Sequence, residues 1–293
     1  MKIAVIGGNG YIGRNFIDHF SKKTSHSVLS LSPNAEDTHY SSDSVTAKNC
    51  DIFDTPRVHE LIKDCDIVYY LVHMMSQKKY DFAVAEERAA KSLVEAVDGT
   101  RVQRIIYLGG LGADADKLSK HLSSRHYTGE ILRRSSALVI EFRASMVVGE
   151  GSISYDIITN LVHKLPVLTL PRWAKTLTQP IGLNDALLYL TQASDVSIDA
   201  HEIIEIGGPE KMSYEEFMRR YAEWNNSPVF LIHFPIIPVS VAAWWLNLFT
   251  PPKHAKVGRT MVESLANPMV VTTDRARTLF PGISPCKVEE SFV

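Results

Sequence analysis

Gly7, Gly10 and Gly13 recur at three-residue intervals, directly behind the short apolar run Lys2–Ile6. Ahead of them the apolar residues Tyr11, Ile12, Phe16, Ile17 and Phe20 fall at helical spacing. A strand that turns through glycines into a helix lets a phosphate group approach the backbone and lets the helix pack closely on its sheet. The start of such a helix also presents free N–H groups and a partial positive charge. Gly7-Gly8-Asn9-Gly10-Tyr11-Ile12-Gly13 is therefore expected to bind a dinucleotide, NAD(H) or NADP(H). The candidate contacts in the loop are Gly7, Asn9, Gly10, Tyr11, Ile12 and Gly13.

The end of the second strand bears on which dinucleotide binds. An NAD site places Asp or Glu there to meet the ribose hydroxyls, and an NADP site places Arg nearby. The stretch reads Leu31-Ser32-Pro33-Asn34-Ala35-Glu36-Asp37, with neither at the expected position. Ser32 and Asn34 can donate to a 2′-phosphate without repelling it, which tilts the reading to NADP(H). Glu36 or Asp37 turned inward would reverse it.

The elements that must hold such a site alternate strand and helix. Ser27–Leu31 and Ala47–Asp51 read as strands. Thr55–Ile62 reads as a helix with Thr55 as its cap and Pro56 in its first turn. Asp66–Val72 is a continuous apolar run, as for a strand buried on both faces. Asp81–Val97 reads as a long helix, Arg104–Leu108 as a strand, Tyr127–Ser135 as part of a helix and Leu138–Phe142 as a sixth strand. This rhythm implies an α/β fold, a Rossmann-type doubly wound parallel sheet. After Gly149 prolines punctuate the chain, and a smaller C-terminal subdomain on the substrate side is expected. The division falls at residues 1–150 and 151–293, with Ile203–Ile206 returning a strand to the main sheet.

Composition narrows the function classes. The chain has 293 residues, 45% apolar and 22% charged, which fits a globular protein and excludes global disorder. A formal net charge of −2 carries no basic excess for nucleic acid. Cys50, Cys65 and Cys286 are too sparse for a disulfide framework or a metal site, and reduced thiols in the cytoplasm are the expectation. Met1–Ile6 runs straight into the glycine loop and reads as a strand rather than a signal peptide. Val229–Phe249 is strongly apolar and includes Trp244 and Trp245. Pro235 and Pro238 divide it, and a spanning helix needs about 20 consecutive apolar residues. No transmembrane segment is expected. The reading is a hydrophobic helix after a Pro-rich turn, with a protein partner or peripheral membrane contact through 229–249 as the alternative.

Together these residues resemble the atypical and extended short-chain dehydrogenase/reductases. The likeness is greatest to NmrA-like and nucleoside-diphosphate-sugar-epimerase-like NAD(P)-binding proteins, and it covers nearly the whole chain. Besides the glycine loop it rests on Cys50-Asp51-Ile52, Asp66–His73, Arg104–Gly112, Glu130–Arg133 and Arg143–Gly149. It implies that Asp51 and Ile52 lie beside adenine. It also implies that Leu71, Val72, His73, Gly109, Gly110, Ala144 and Met146 surround the rest of the cofactor.

Active members of this family carry Ser or Thr after the fifth strand and Tyr-x-x-x-Lys on the next helix, where the Tyr works as a general acid/base. This chain has Gly109-Gly110 after that strand. Registering the helix on Glu130-Ile131-Leu132 puts Leu122 at the tyrosine position and His126 at the lysine position. Tyr127 then points about 100° away from His126. His126, His73 and Tyr127 are the candidate replacements, the two histidines foremost as neighbours of the cofactor pocket. No metal site is expected. Two functions remain open: an NAD(P)H-dependent oxidoreductase acting on an unknown small molecule, or a non-catalytic NAD(P)-sensing regulatory or assembly module of NmrA-like type. A sugar epimerase fits less well, because it needs the missing base.

Overall fold

A computed structural model describes residues 1–76, 81–113, 117–165, 167–227, 229–233 and 263–293. The chain begins with β1 (Lys2–Ile6), α1 (Tyr11–Lys23), β2 (Ser27–Ser32) and β3 (Val45–Asn49). Then follow α2 (Thr55–Ile62), β4 (Ile67–Tyr70), α3 (Phe82–Val97), β5 (Arg104–Gly110), α4 (Lys120–Leu132) and β6 (Leu138–Ala144). Caps define where the helices start. Asp54, not Thr55, caps α2 by accepting from the Arg57 N–H at 3.1 Å, and Asp81 caps α3. Ser119 caps α4, which begins seven residues before the expected Tyr127.

The remaining chain adds β7 (Val147–Val148), α5 (Ile153–Lys164), β8 (Val167–Leu170), β9 (Leu177–Thr178), β10 (Ile181–Gly182) and α6 (Leu183–Gln192). It closes with β11 (Glu202–Ile206), β12 (Met212–Ser213), α7 (Tyr214–Trp224), β13 (Phe230–His233) and α8 (Arg275–Leu279). β11 returns to the main sheet beside β6, giving the order β3-β2-β1-β4-β5-β6-β11 with every pair parallel. The fold is the Rossmann-type α/β fold. Its strand order reverses between β1 and β4, and a crevice opens at their C-terminal ends.

The pleat divides the core. Ala4 and Ile6 face a cluster with α2 and α3, while Ile3 and Val5 face one with α1 and α6. A third cluster joins Leu111, Leu122 and Met146 at the sheet's C-terminal edge to Tyr155 and Ile158 of α5 and Phe217 and Met218 of α7. It seats the later half of the chain over that edge.

The apolar stretch from Val229 does not begin as a helix. Residues 230–233 form β13, parallel to β8. Phe230 and Ile232 are exposed while Leu231 packs on the third cluster, a period of two rather than 3.6. Residues 234–262, including Trp244 and Trp245, lie outside the described residues. Among the described residues, no helix is long and apolar enough to cross a membrane.

Candidate functional site

The glycine loop is a cradle that side chains would fill. Gly7 sits at φ +91°, in the left-handed region that favours glycine. A Cβ on Gly7 would stand 2.8 Å from the Leu71 carbonyl, and one on Gly13 would stand 2.3 Å from the Gly7 oxygen. The loop backbone therefore lies against the end of β4, and α1 starts against the loop. Gly10 is the N-cap of α1 and brings no side-chain acceptor to the first turn. This geometry fits a pyrophosphate held by backbone N–H groups.

Asn9 ties the loop to the segment after β2. Its Nδ2 donates to the Asn34 oxygen at 2.6 Å, and its Oδ1 accepts from Thr38 Oγ1 at 2.9 Å. The Ser32 hydroxyl is buried and has no hydrogen-bond partner among the described residues. Glu36 is turned to β3, where Asn49 Nδ2 donates to it at 3.2 Å. Arg14 donates to the Asn9 oxygen at 3.3 Å and brings a cation to this end. Asp51 accepts from the Phe53 N–H at 3.0 Å and is exposed, while Ile52 is buried.

From the crevice a cavity of about 260 Å³ opens towards the later half of the chain. On the sheet side it meets Ile12, Leu71, Gly109, Gly110, Ala144 and Met146. On the other side it meets Ile157, Ile158 and Leu161 of α5, with Trp173, Tyr214 and Met218. No Asp, Glu or Lys lines it among the described residues, and Arg125 is its one described cation apart from the histidines.

Arg125 is buried and fixes the strand ends. Its Nη1 donates to the Val72 oxygen at 3.1 Å and to Glu86 Oε1 at 3.2 Å, and its Nη2 donates to the Leu108 oxygen. Glu86 is buried on α3 and also accepts from Ser124 Oγ at 2.6 Å and the Met74 N–H at 3.3 Å. Burial would raise the Glu86 pKa, but Arg125 outweighs it and the carboxyl is held below its usual range.

Two histidines sit beside this pair. His73 Nε2 lies 3.0 Å from His121 Nε2 and 3.8 Å from Glu86 Oε1. The rings meet edge to face at 84°. His121 Nδ1 lies 3.1 Å from Ser264 Oγ. Burial, seconded by Arg125, pulls His121 down to about 4 and moves His73 the same way. His73 still presents 39% of its side chain to the cleft, so it is the member of the pair that meets water.

Of the three expected catalytic residues, only His73 lines the cavity. His126 is buried behind it and donates from Nε2 to the Gly110 oxygen at 3.0 Å. Tyr127 is 37% exposed and is not among the lining residues. The cavity face of α4 is instead His121, Leu122 and Arg125. The pair spaced like Tyr-x-x-x-Lys is His121 and Arg125, one residue earlier than the register read from Glu130-Ile131-Leu132. His121, Arg125, Glu86 and Ser264 were not candidates from sequence, because the contacts that bring them together, Glu86–Ser124, Glu86–Arg125 and His121–Ser264, span 38, 39 and 143 residues of chain. Among the described residues, no group of three His, Cys, Asp or Glu could hold a metal ion.

Comparison with known proteins agrees with this geometry. Residues 7–145, a little under half of the chain, match the family model described as NAD(P)H-binding. No curated protein matches the sequence. Among solved structures, a nucleoside-diphosphate-sugar epimerase from Staphylococcus aureus aligns with TM-score 0.77 at 14% identity, over 99% of this chain and 98% of that one. A Citrobacter sp. triphenylmethane reductase complexed with NADP(H) gives the same figures, 0.77, 14%, 99% and 98%. A Bacillus cereus UDP-glucuronic acid 4-epimerase, in complex with UDP-glucuronic acid and NAD, aligns with TM-score 0.72 at 15% identity over 99% and 96%. These likenesses establish the fold. Residues 7–145 thus match an NAD(P)H-binding family model, within a chain folded like the triphenylmethane reductase and the sugar-nucleotide epimerases.

Proposed function

We propose that the chain is an NAD(P)H-dependent reductase of an uncharged, largely apolar substrate. The observation that carries this reading is the cavity. It opens directly off the sheet edge beside Leu71 and Gly109, and its outer wall is aliphatic and aromatic. The one described cation on it apart from the histidines, Arg125, is already neutralised by Glu86. A nucleoside diphosphate needs positive charge opposite its phosphates, and the described lining residues of the outer wall supply none. The triphenylmethane reductase, a fold relative named for a scaffold of three aromatic rings, is consistent with an aromatic-lined site.

In this reading residues 1–150 hold the cofactor and residues 151–293 close over the substrate. The pyrophosphate lies on Gly7, Gly10, Tyr11, Ile12 and Gly13, with Asn9 shaping the loop. Asp51 and Ile52 flank the adenine, while Leu71, Val72, His73, Gly109, Gly110, Ala144 and Met146 lie towards the nicotinamide. The Ser32 hydroxyl, Asn34 and Arg14 receive a 2′-phosphate, and Glu36, engaged with Asn49, does not oppose it. NADP(H) is therefore favoured over NAD(H). When bound, the nicotinamide supplies a hydride, and positioning the acceptor carbon beside it is the main requirement.

The test is consumption of NADPH with 9,10-phenanthrenequinone or an aromatic aldehyde, set against conversion of UDP-glucose in the presence of NAD⁺. Turnover with an apolar acceptor supports the reading. Tight NADPH binding without turnover on any of them points to the regulatory module. Turnover of UDP-glucose alone refutes the apolar substrate.

A further inference from the structure

We propose that Ser264, His121 and His73 form a proton relay that delivers a proton to the reduced substrate, with Ser264 as the donor in the cavity. This deepens the reductase reading and rests on it. All three residues line the cavity, and they are linked end to end: Ser264 Oγ to His121 Nδ1 at 3.1 Å, and His121 Nε2 to His73 Nε2 at 3.0 Å. The chain's Tyr-x-x-x-Lys is missing, so a proton donor must come from elsewhere on this wall.

The hydrogen-bond geometry assigns the protons. Both imidazoles are neutral in their surroundings, so each carries one N–H. Of two facing Nε2 atoms, one donates and the other accepts. The Glu86 carboxylate, 3.8 Å from His73 Nε2, favours the N–H there. His121 Nε2 is then the acceptor, and His121 carries its proton on Nδ1, aimed at Ser264 Oγ. Ser264 accepts that bond and keeps its own hydroxyl proton for Ser119 Oγ, 2.9 Å away, or for a molecule in the cavity.

The transfer leaves no charge on the relay. Ser264 gives its hydroxyl proton to the substrate heteroatom and takes the Nδ1 proton of His121. His121 Nε2 takes the Nε2 proton of His73. His73, exposed to the cleft, takes a proton on Nδ1 from water. Each histidine ends neutral in its other tautomer, and the substrate has gained a hydride and a proton, a two-electron reduction. The polar double bond of a carbonyl or quinone suits this, with the hydride going to carbon and the proton to oxygen.

The groups facing the relay are Glu86 from α3, Arg125 from α4, and the Lys120–Asp81 ion pair at 2.5 Å, with Phe82 against the His121 ring. Glu86 is tied to Arg125 and Ser124 and does not itself take part. It acts as the positioning residue for the His73 tautomer.

Two arms test the relay on the full chain. The first needs no turnover: ring-¹⁵N histidine NMR of the protein alone and with NADP⁺. Both histidines are expected to stay neutral across about pH 5 to 8, where a free histidine titrates. They should hold opposite tautomers at the shared contact, with coupling across the Nε2–Nε2 hydrogen bond. Titration of either ring near its ordinary value, or the absence of that coupling, overturns the relay whatever the activity. The second arm uses NADPH and 9,10-phenanthrenequinone. His121→Gln and Ser264→Ala should each lower kcat by about 10²-fold or more, the size of a lost general acid, and should abolish the solvent deuterium isotope effect. NADPH affinity should not change, and Ser264→Thr should restore kcat. Undiminished kcat in either variant overturns the relay while leaving the reductase standing. Absence of turnover in the unaltered protein overturns the reductase reading itself, and the relay with it.

Discussion

Gly13 and Gly7 meet with no room for a methyl group, since a Cβ on Gly13 would fall 2.3 Å from the Gly7 carbonyl oxygen. The obstructing atom is backbone, so relief requires α1 to move away from the loop. That movement displaces the first-turn N–H groups on which a pyrophosphate would rest. Gly13→Ala should therefore weaken NADPH binding by about tenfold or more, equivalent to about 1.4 kcal/mol. Titration by quenching of protein fluorescence measures it. Unchanged affinity would mean that the phosphates lie elsewhere.

Cofactor choice should follow Arg14 rather than Glu36. A charge-assisted bond to phosphate is worth about 1.5–3 kcal/mol. Arg14→Ala should then cost NADPH about tenfold or more in affinity and NADH little. Ser32→Ala, which removes a buried hydroxyl with no partner among the described residues, should act in the same direction more weakly. Equal losses for both cofactors would show that Arg14 merely braces the loop through Asn9.

The sheet and the glycine loop were legible in the sequence because their signals are local. β4 is a continuous apolar run buried on both faces, and the glycine spacing sits at a strand-to-helix turn. The cavity face of α4 was not legible. Ser124, Arg125, His126 and Thr128 are buried on that helix alongside Leu122 and Ile131, so no apolar stripe fixes its rotation. Arg125 looks like a surface residue until Glu86, 39 residues earlier, is placed beside it. The same holds for Ser264, which meets His121 across 143 residues.

Glu141 should be a stability hotspot away from the cavity. It is fully buried on β6, with Arg143 Nε donating to it at 2.7 Å and Arg133 paired to its other oxygen. Gly129 gives it space, as a Cβ there would stand 2.1 Å from Glu141 Oε2. Removing one member of a buried ion cluster leaves charge uncompensated and costs about 3–5 kcal/mol. Glu141→Ala should lose that much in urea unfolding, and a loss below about 1 kcal/mol would place the cluster with the weak surface pairs.

The stability of the protein should fall on the acid side of neutrality in two stages. In the unfolded chain His121 titrates near about 6.5, whereas burial and Arg125 hold it at about 4 in the fold. As pH falls below about 6.5 the unfolded state takes up the proton first, so stability is lost until the pH reaches the folded value. His73 contributes in the same sense, reduced by its opening to the cleft. Glu86 acts later. Its folded pKa lies below that of a free glutamate, so its contribution is present above about 4.3 and is lost as pH drops through the folded value. The double variant His73→Asn, His121→Gln should flatten the first stage and leave the second. Urea midpoints measured from neutral pH downward separate the two. A first stage as steep in the double variant as in the unaltered protein would show that neither imidazole is held neutral, and that the loss arises from carboxylates alone.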